Sequence, residues 1–166
     1  MGKENKGKIY SITIPAIKET NIIVGQAHFI KTVEDIYEAI TSSSPHIKFG
    51  IAFNEASGDR LVRFDGNDET LKKRTIEIAE KIGCGHVFVI LLRNGYPINV
   101  LGKIKNVDEV VNVYVATAND INAIIYKNGE SRAILGIADG KKPLGVEKDA
   151  DKEKRHKLLR DIGYKR

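Results

Sequence analysis

Residues 67–92, NDETLKKRTIEIAEKIGCGHVFVILL, carry the reading that decides the fold. The first half is an amphipathic helix. Asn67 stands at the cap, and Asp68 and Glu69 fill the first turn, where carboxylates suit the positive end of the helix dipole. Leu71, Thr75, Ile78, Ala79 and Ile82 share one face, and Gly83 is the natural stop. The second half, His86 to Leu92, is an almost unbroken apolar run, the pattern of a central strand buried on both sides.

Upstream, Lys8 to Ile17 alternates around Ile9, Ile12 and Ile14, and Ile22 to Phe29 reads as a second strand. Thr32 with Asp35 looks like a capping box opening a helix whose Val33, Ile36, Tyr37 and Ile40 face inward. Ser42 to Pro45 end it. Residues 47–56 and 60–64 read as a hairpin across Ser57-Gly58-Asp59. Downstream, 97–105 is a short helix and 110–116 a strand. Asn128-Gly129 is a hairpin turn between 123–126 and 132–137. A last helix, 149–162, is expected to pack Leu158, Leu159 and Ile162. Strands dominate and helices interrupt them irregularly. The expectation is an α+β fold with a mixed β-sheet covered by helices, as a single domain over 8–166 after a basic N-terminal extension, 1–7.

Composition narrows the classes. The 166 residues suit one domain, and 42% hydrophobic with 30% charged is a globular balance. No stretch approaches a membrane span, no secretory leader is expected, and a lone cysteine, Cys84, permits no internal disulfide. A cytoplasmic location is expected. The net charge of +5 gathers at both ends of the chain. A solubilising basic surface is the plainer explanation. A polyanion such as RNA is the other, and no nucleic-acid module accompanies the charge.

Several chemistries are missing their signatures. Residues 136–142 fall short of a phosphate loop, having three residues between the glycines and Lys142 where a hydroxyl is needed. The four histidines, 28, 46, 86 and 156, show no zinc spacing, so no metal site is assigned. What remains is polar residues at strand ends, where sites on sheets gather. His28 and Lys31 lead into a helix N-terminus, which suits an anion as well as it suits a plain capped helix. Asn54, Glu55, Arg60, Arg63 and Asp65 surround two turns, with carboxylates for Mg²⁺ and guanidiniums for phosphate, or simply turn chemistry. His86 follows Gly83-Cys84-Gly85 and reads as a base, a nucleophile or a bonded core histidine. Asn99, Asn119, Asp139 and Gly140 suit nucleobase and ribose recognition, or turns.

These segments in order, GQAHFIKTVED (25–35), FNEASGDRLVR (53–63), GCGH (83–86), YPINVL (96–101), ATAN (116–119), GIADG (136–140), PLGVE (143–147) and LLRDIGYK (158–165), resemble the adenosine-specific kinase family of archaea and bacteria. The resemblance implies binding of adenosine, AMP, ADP or ATP, a histidine able to carry phosphate, and a homo-oligomer, a trimer or a multiple of one. An adenine nucleotide would be the co-substrate, with Mg²⁺ as its companion ion. Carried onto this chain, His86 or His28 accepts phosphate, with His86 favoured, and Lys31 and Arg60 neutralise phosphate charge. Glu55 and Asp65 take Mg²⁺ or ribose, and Asn99 and Asn119 take adenosine. The leading expectation is a phosphotransferase, with a non-catalytic adenosine or AMP sensor as runner-up and a nucleic-acid-associated protein third.

Overall fold

The structure is a computed structural model and describes residues 6–166, so residues 1–5 of the expected basic extension lie outside the described residues. The chain runs β1 (Lys8–Ile14), β2 (Asn21–Ala27), α1 (Thr32–Thr41), β3 (Lys48–Asn54), β4 (Val62–Gly66), α2 (Glu69–Ile82), β5 (Val87–Arg93), α3 (Pro97–Lys105), β6 (Val110–Thr117), β7 (Ile121–Asn128), β8 (Ser131–Asp139) and α4 (Asp149–Asp161). Among the described residues no helix is long and apolar enough to cross a membrane.

The α+β class holds. Its strands form two sheets rather than one, a five-stranded sheet ordered β4-β3-β5-β2-β6 and a three-stranded sheet ordered β1-β7-β8. Neither is mixed, because every pairing is antiparallel. The connectivity explains why the sequence suggested otherwise. α1, α2 and α3 each join two strands that run the same way, as in a βαβ unit. In each case an antiparallel strand fills the gap: β5 lies between β2 and β3, β3 between β4 and β5, and β2 between β5 and β6. Parallel partners are therefore never neighbours.

β5 is the central strand, as its apolar run requires, and its two faces serve two cores. Phe88, Ile90 and Leu92 join Ile23, Phe49, Ile51 and Phe53 under α1 and α3. Val87, Val89 and Leu91 join Ile22, Val24 and Ala52 under α2 and the smaller sheet. Fully burying a side chain of this size contributes about 1.5–3 kcal/mol, so the doubly covered strand anchors the fold. α2 approaches the sheet closely at Gly50, where an added Cβ would lie 2.5 Å from the backbone of Leu71 and Lys72.

Local details differ from expectation for identifiable reasons. Asp68, not Asn67, caps α2, its carboxylate accepting from the Leu71 N–H at 2.9 Å. Asn67 instead bridges to β3, accepting from Phe49 N and donating to Ile47 O, both at 2.9 Å. Thr32 lies inside α1 and its hydroxyl donates back to Phe29 O at 2.6 Å, so no capping box forms. The β7–β8 turn is one residue later than the Asn-Gly pair suggests, with Asn128 opposite Ser131 and Gly129 at φ 60°. α4 buries none of its residues, so Leu158 is not packed within this chain and neither is Ile162 just beyond the helix.

Candidate functional site

Antiparallel pairing assigns the polar strand ends to opposite edges of the large sheet. Gln26 faces Val87, Phe53 faces Phe88, Asn54 faces Val62 and Ala27 faces Val110. His28, Asn54, Glu55 and His86 therefore gather at one edge, and Lys31 and Arg60 lie in the loops beside it. At the other, Asn21 faces Leu92 and Ile22 faces Thr117, which places the α3 start and the β6–β7 turn there. Asn99, Asn119, Asp139 and Gly140 belong to this second edge. Asp65 lies within β4 opposite Ile51, between the two. Six residue steps of β2 separate the edges, about 20 Å at the usual strand rise.

At the first edge His86 is held from both sides. Its N–H donates to Asn54 O at 2.7 Å, and its carbonyl accepts from Ala27 N at 2.9 Å. Its φ is 62°, a left-handed conformation costing a non-glycine residue about 1–2 kcal/mol, which the bonds to β3 and β2 hold in place. The half-buried imidazole stacks on Phe53 with ring centroids 5.8 Å apart and 10° between planes. One imidazole face is covered and the chain around it fixed.

Beside it, His28 donates its N–H to Glu109 O at 3.0 Å and leaves its ring exposed. Phe29 follows at φ 80° with 59% of its surface exposed, an aromatic held outward by strained backbone. Lys31 pairs with Asp35 and with Glu109, the latter at 3.0 Å. The Asp35 and Glu109 carboxylates raise the Lys31 ammonium well above its usual range, and the bond from Lys31 holds Asp35 below its own. Glu109 is only 3% exposed, and its Oε2 has no hydrogen-bond partner. The sequence reading missed Glu109. Its one signal is a carboxylate directly ahead of the apolar run 110–116.

Glu55 accepts from Leu61 N at 2.9 Å and from Arg63 Nη2 at 2.9 Å. The Leu61 N–H first, and the Arg63 guanidinium second, hold its carboxyl below the usual range. Asp65 accepts from Gly66 N at 2.7 Å. These two acids do not converge, and among the described residues no three or more His, Cys, Asp or Glu side chains group to hold a metal. Glu55 and Asp65 therefore do not form one shared Mg²⁺ site. Asn54 is buried, its amide donating to Ala79 O and Cys84 O at 2.9 and 3.0 Å, which ties β3 to the end of α2. Arg60 lies exposed at φ 52° beside Glu130 at 3.2 Å. It rims an open cleft of about 700 Å³ with Glu55, Gly83, Gly85 and Arg132. Cys84 is buried, and burial pushes its thiol up to about 11, so it is a small apolar residue there rather than a nucleophile.

At the second edge Asp139 Oδ1 accepts from Thr117 Oγ1 at 2.8 Å and from Asn119 Nδ2 at 2.9 Å, and Gly140 turns at φ 60°. Asn99 Oδ1 accepts from Tyr96 N at 2.8 Å and its amide donates to Tyr164 Oη at 3.3 Å. An open cleft of about 960 Å³ lies between Thr20, Asn94, Tyr96, Asn99 and Tyr164. This edge is a bonded set of amides, hydroxyls and a carboxylate. The first edge brings two imidazoles, His28 and His86, to the same end of the sheet as the paired cations Lys31 and Arg60.

The family model described as adenosine specific kinase matches residues 12–165. The crystal structure of the PH1918 protein from Pyrococcus horikoshii OT3 superposes with a TM-score of 0.91 at 42% sequence identity, covering 97% of this chain and 99% of that one. No curated protein matches the chain.

Proposed function

The chain belongs to the adenosine-specific kinase family, and on that premise we propose that it binds adenosine and an adenine nucleotide and transfers a phosphoryl group through His86. The observation that carries this reading is the fixation of His86. Its backbone is bonded to two strands in a strained conformation, and its ring is backed by Phe53. An imidazole nitrogen would form the P–N bond as the P–O bond to the leaving nucleoside diphosphate breaks. A hydroxyl of adenosine would then attack phosphorus, the P–N bond would break, and the hydroxyl proton would leave to the imidazole or to water. Lys31 and Arg60 would stabilise the phosphoryl oxygens, since such transfer depends on positioning and charge. Mg²⁺ would come and go with the nucleotide, and no step here runs through protein ligands to it.

An acceptor hydroxyl at His86 restricts where adenosine lies. Asn99 and Asn119 of the same chain are about a strand length away, too far to touch the base of that nucleoside. Phe29, exposed beside His28, supplies an aromatic face for the base instead.

Calorimetry against adenosine, AMP, ATP and guanosine, with and without Mg²⁺, tests the binding half. Labelling by γ-³²P-ATP in the intact chain, in His86→Ala and in His28→Ala tests the transfer half. Adenine-selective binding with acid-labile labelling lost only in His86→Ala is the expected result. Labelling lost only in His28→Ala would move the transfer to that histidine. Binding without labelling would leave the adenosine-sensor reading in its place. No binding to any adenine compound would overturn both.

A further inference from the structure

Glu109 stands where an acid is least expected, directly ahead of the apolar strand β6 and only 3% exposed. Val33 and Ile36 of α1, and Val110 beside it, all belong to the core beneath α1 and α3. A carboxylate taken out of water needs a cation and hydrogen bonds. Among the described residues Glu109 has one cation, the Lys31 ammonium 3.0 Å from its Oε1, and its Oε2 meets no donor. Replacing a buried ion pair by apolar residues is commonly neutral or stabilising. Stability alone therefore does not account for an acid at this position.

What Glu109 does hold is the loop between β2 and α1. Its carbonyl accepts from the His28 N–H at 3.0 Å, and its carboxylate meets Lys31. Residues 28–31 are thus tied at both ends to one residue of the neighbouring strand. Inside the loop, Phe29 bends the chain at φ 80°, and its carbonyl accepts from the Thr32 N–H at 3.2 Å and the Thr32 hydroxyl at 2.6 Å. Lys31 is also bonded to Asp35, one turn into α1. A lysine ammonium carries three N–H donors on a flexible stem. Here two of them face carboxylates, and the side chain is still 51% exposed, which leaves the third for a ligand. Asp35 lies on the same helix and moves with Lys31. Glu109 alone refers the ammonium to β6, and through β2 to the strand that His86 leads into.

We propose that Glu109 is a positioning residue for phosphoryl transfer: from beneath the loop it fixes the Lys31 ammonium, between itself and Asp35, where the third N–H meets the phosphoryl oxygens at the histidine edge. The inference rests on the functional reading above and adds to it the residue on which Lys31 depends. Glu109 does not touch the ligand, because its carboxylate oxygens are covered by protein. It acts through Lys31. Phosphoryl transfer relies on the placement of charge, and a displacement of about 1 Å can cost about a hundredfold in rate. A buried anchor tied to the sheet is what keeps such a displacement from occurring.

The test follows the time course of labelling by γ-³²P-ATP in the full chain, in Glu109→Gln, Glu109→Leu and Lys31→Met, and in Lys31→Met/Glu109→Gln. Both Glu109 variants should take label about a hundredfold more slowly at saturating ATP and reach the same end-point. A merely structural role would lower the end-point, the fraction of competent chains, and leave the rate of the remainder unchanged. In the Lys31→Met background, Glu109→Gln should slow labelling no further. An added loss there overturns the proposal, and so does unchanged or faster labelling in both single variants. Adenosine carries no phosphate and the His28 main-chain bond survives the substitution, so adenosine affinity measured by calorimetry should not change in Glu109→Gln. A matching loss of adenosine binding would mean that Glu109 shapes the whole loop rather than Lys31, and overturns the proposal. ¹⁵N NMR of the lysine ammonium groups reads the anchor without any nucleotide. The Lys31 signal, identified by its absence from Lys31→Met, should exchange its hydrogens more slowly than other lysines and lose most of that protection in Glu109→Gln. An unchanged signal overturns the anchoring. An intact chain that takes no label overturns the functional reading and with it the role in transfer, while the Lys31 signal still decides whether Glu109 fixes the ammonium.

Discussion

The ammonium of Lys31 sits 3.0 Å from Oε1 of Glu109, a carboxylate buried to 3% exposure at the start of β6. The pair links the helix that begins beside His28 to the strand that closes the sheet. Lys31→Met would leave a buried carboxylate with no cation and cost about 1–3 kcal/mol, the penalty for stranding a buried acceptor. Glu109→Gln removes the charge while keeping the shape and should cost less. Urea melts of both variants measure the difference, and equal stabilities would show that the pair does not hold α1 in place.

His86 separates stability from chemistry. His86→Gly relieves a left-handed backbone, worth about 1 kcal/mol, and loses the stacking on Phe53, worth a similar amount. Its melting midpoint should stay close to that of the intact chain while nucleotide labelling disappears. A variant that melts much earlier would mean that His86 serves the fold.

Phe29 is held outward at φ 80° where no apolar core asks for it. Phe29→Ala should weaken adenosine binding about tenfold or more, as loss of base–aromatic stacking does, with little change in stability. Unchanged affinity would place the base elsewhere.

The Glu55 carboxyl is held below its ordinary range by the Leu61 N–H and by Arg63. A carboxyl with a lowered folded pKa contributes stability above its unfolded pKa and loses it as pH falls through the folded one. The intact chain should therefore lose stability on acidification below the ordinary glutamate range more steeply than Glu55→Gln does. Denaturant midpoints between pH 7 and about pH 3 show it, and parallel profiles would refute it.

Cys84 should resist alkylation by iodoacetamide at pH 8, because its thiol titrates near 11 and is buried. Modification should appear only with unfolding. The unfolded thiol ionises first as pH rises, so its contribution to stability is complete below about 9 and is lost as pH climbs through the folded value. Reaction in the folded protein at the rate of a free thiol would contradict the burial.

Gly50 and Gly102 make an opposed pair. Gly50→Ala would press a Cβ to within 2.5 Å of α2 backbone and should cost about 1–3 kcal/mol or more. Gly102→Ala meets nothing within 4 Å inside α3 and should gain up to about 1 kcal/mol. Thermal melts of opposite sign are expected.

Much of this molecule was legible without coordinates because local physics decided it. The apolar run His86–Leu92 read as a doubly buried strand, which the structure forms at Val87–Arg93, and the spacing of Leu71, Thr75, Ile78 and Ile82 read as the one-faced helix that α2 is. His28, Lys31, Glu55 and His86 were singled out because polar groups at or just beyond the ends of apolar strands stand out, and the structure brings them to one end of the large sheet. Asn99, Asn119, Asp139 and Gly140 looked like members of the same set by the same rule. Strand direction put them at the far edge, and no residue type reports direction.

The sequence by itself determined the elements, the buried faces of α1, α2 and β5, and the family, since helix and strand periodicity and motif order are properties of neighbours along the chain. Only the tertiary structure decided that the sheets are antiparallel throughout, that Glu109 is buried against Lys31, and that α4 stands off the body. Each depends on which distant segments meet: β5 threading between β2 and β3, β6 starting beside α1, and a largely polar last helix that packs little against its own chain. Such meetings are fixed by the competition of all apolar faces for cover at once, and no local stretch contains that competition.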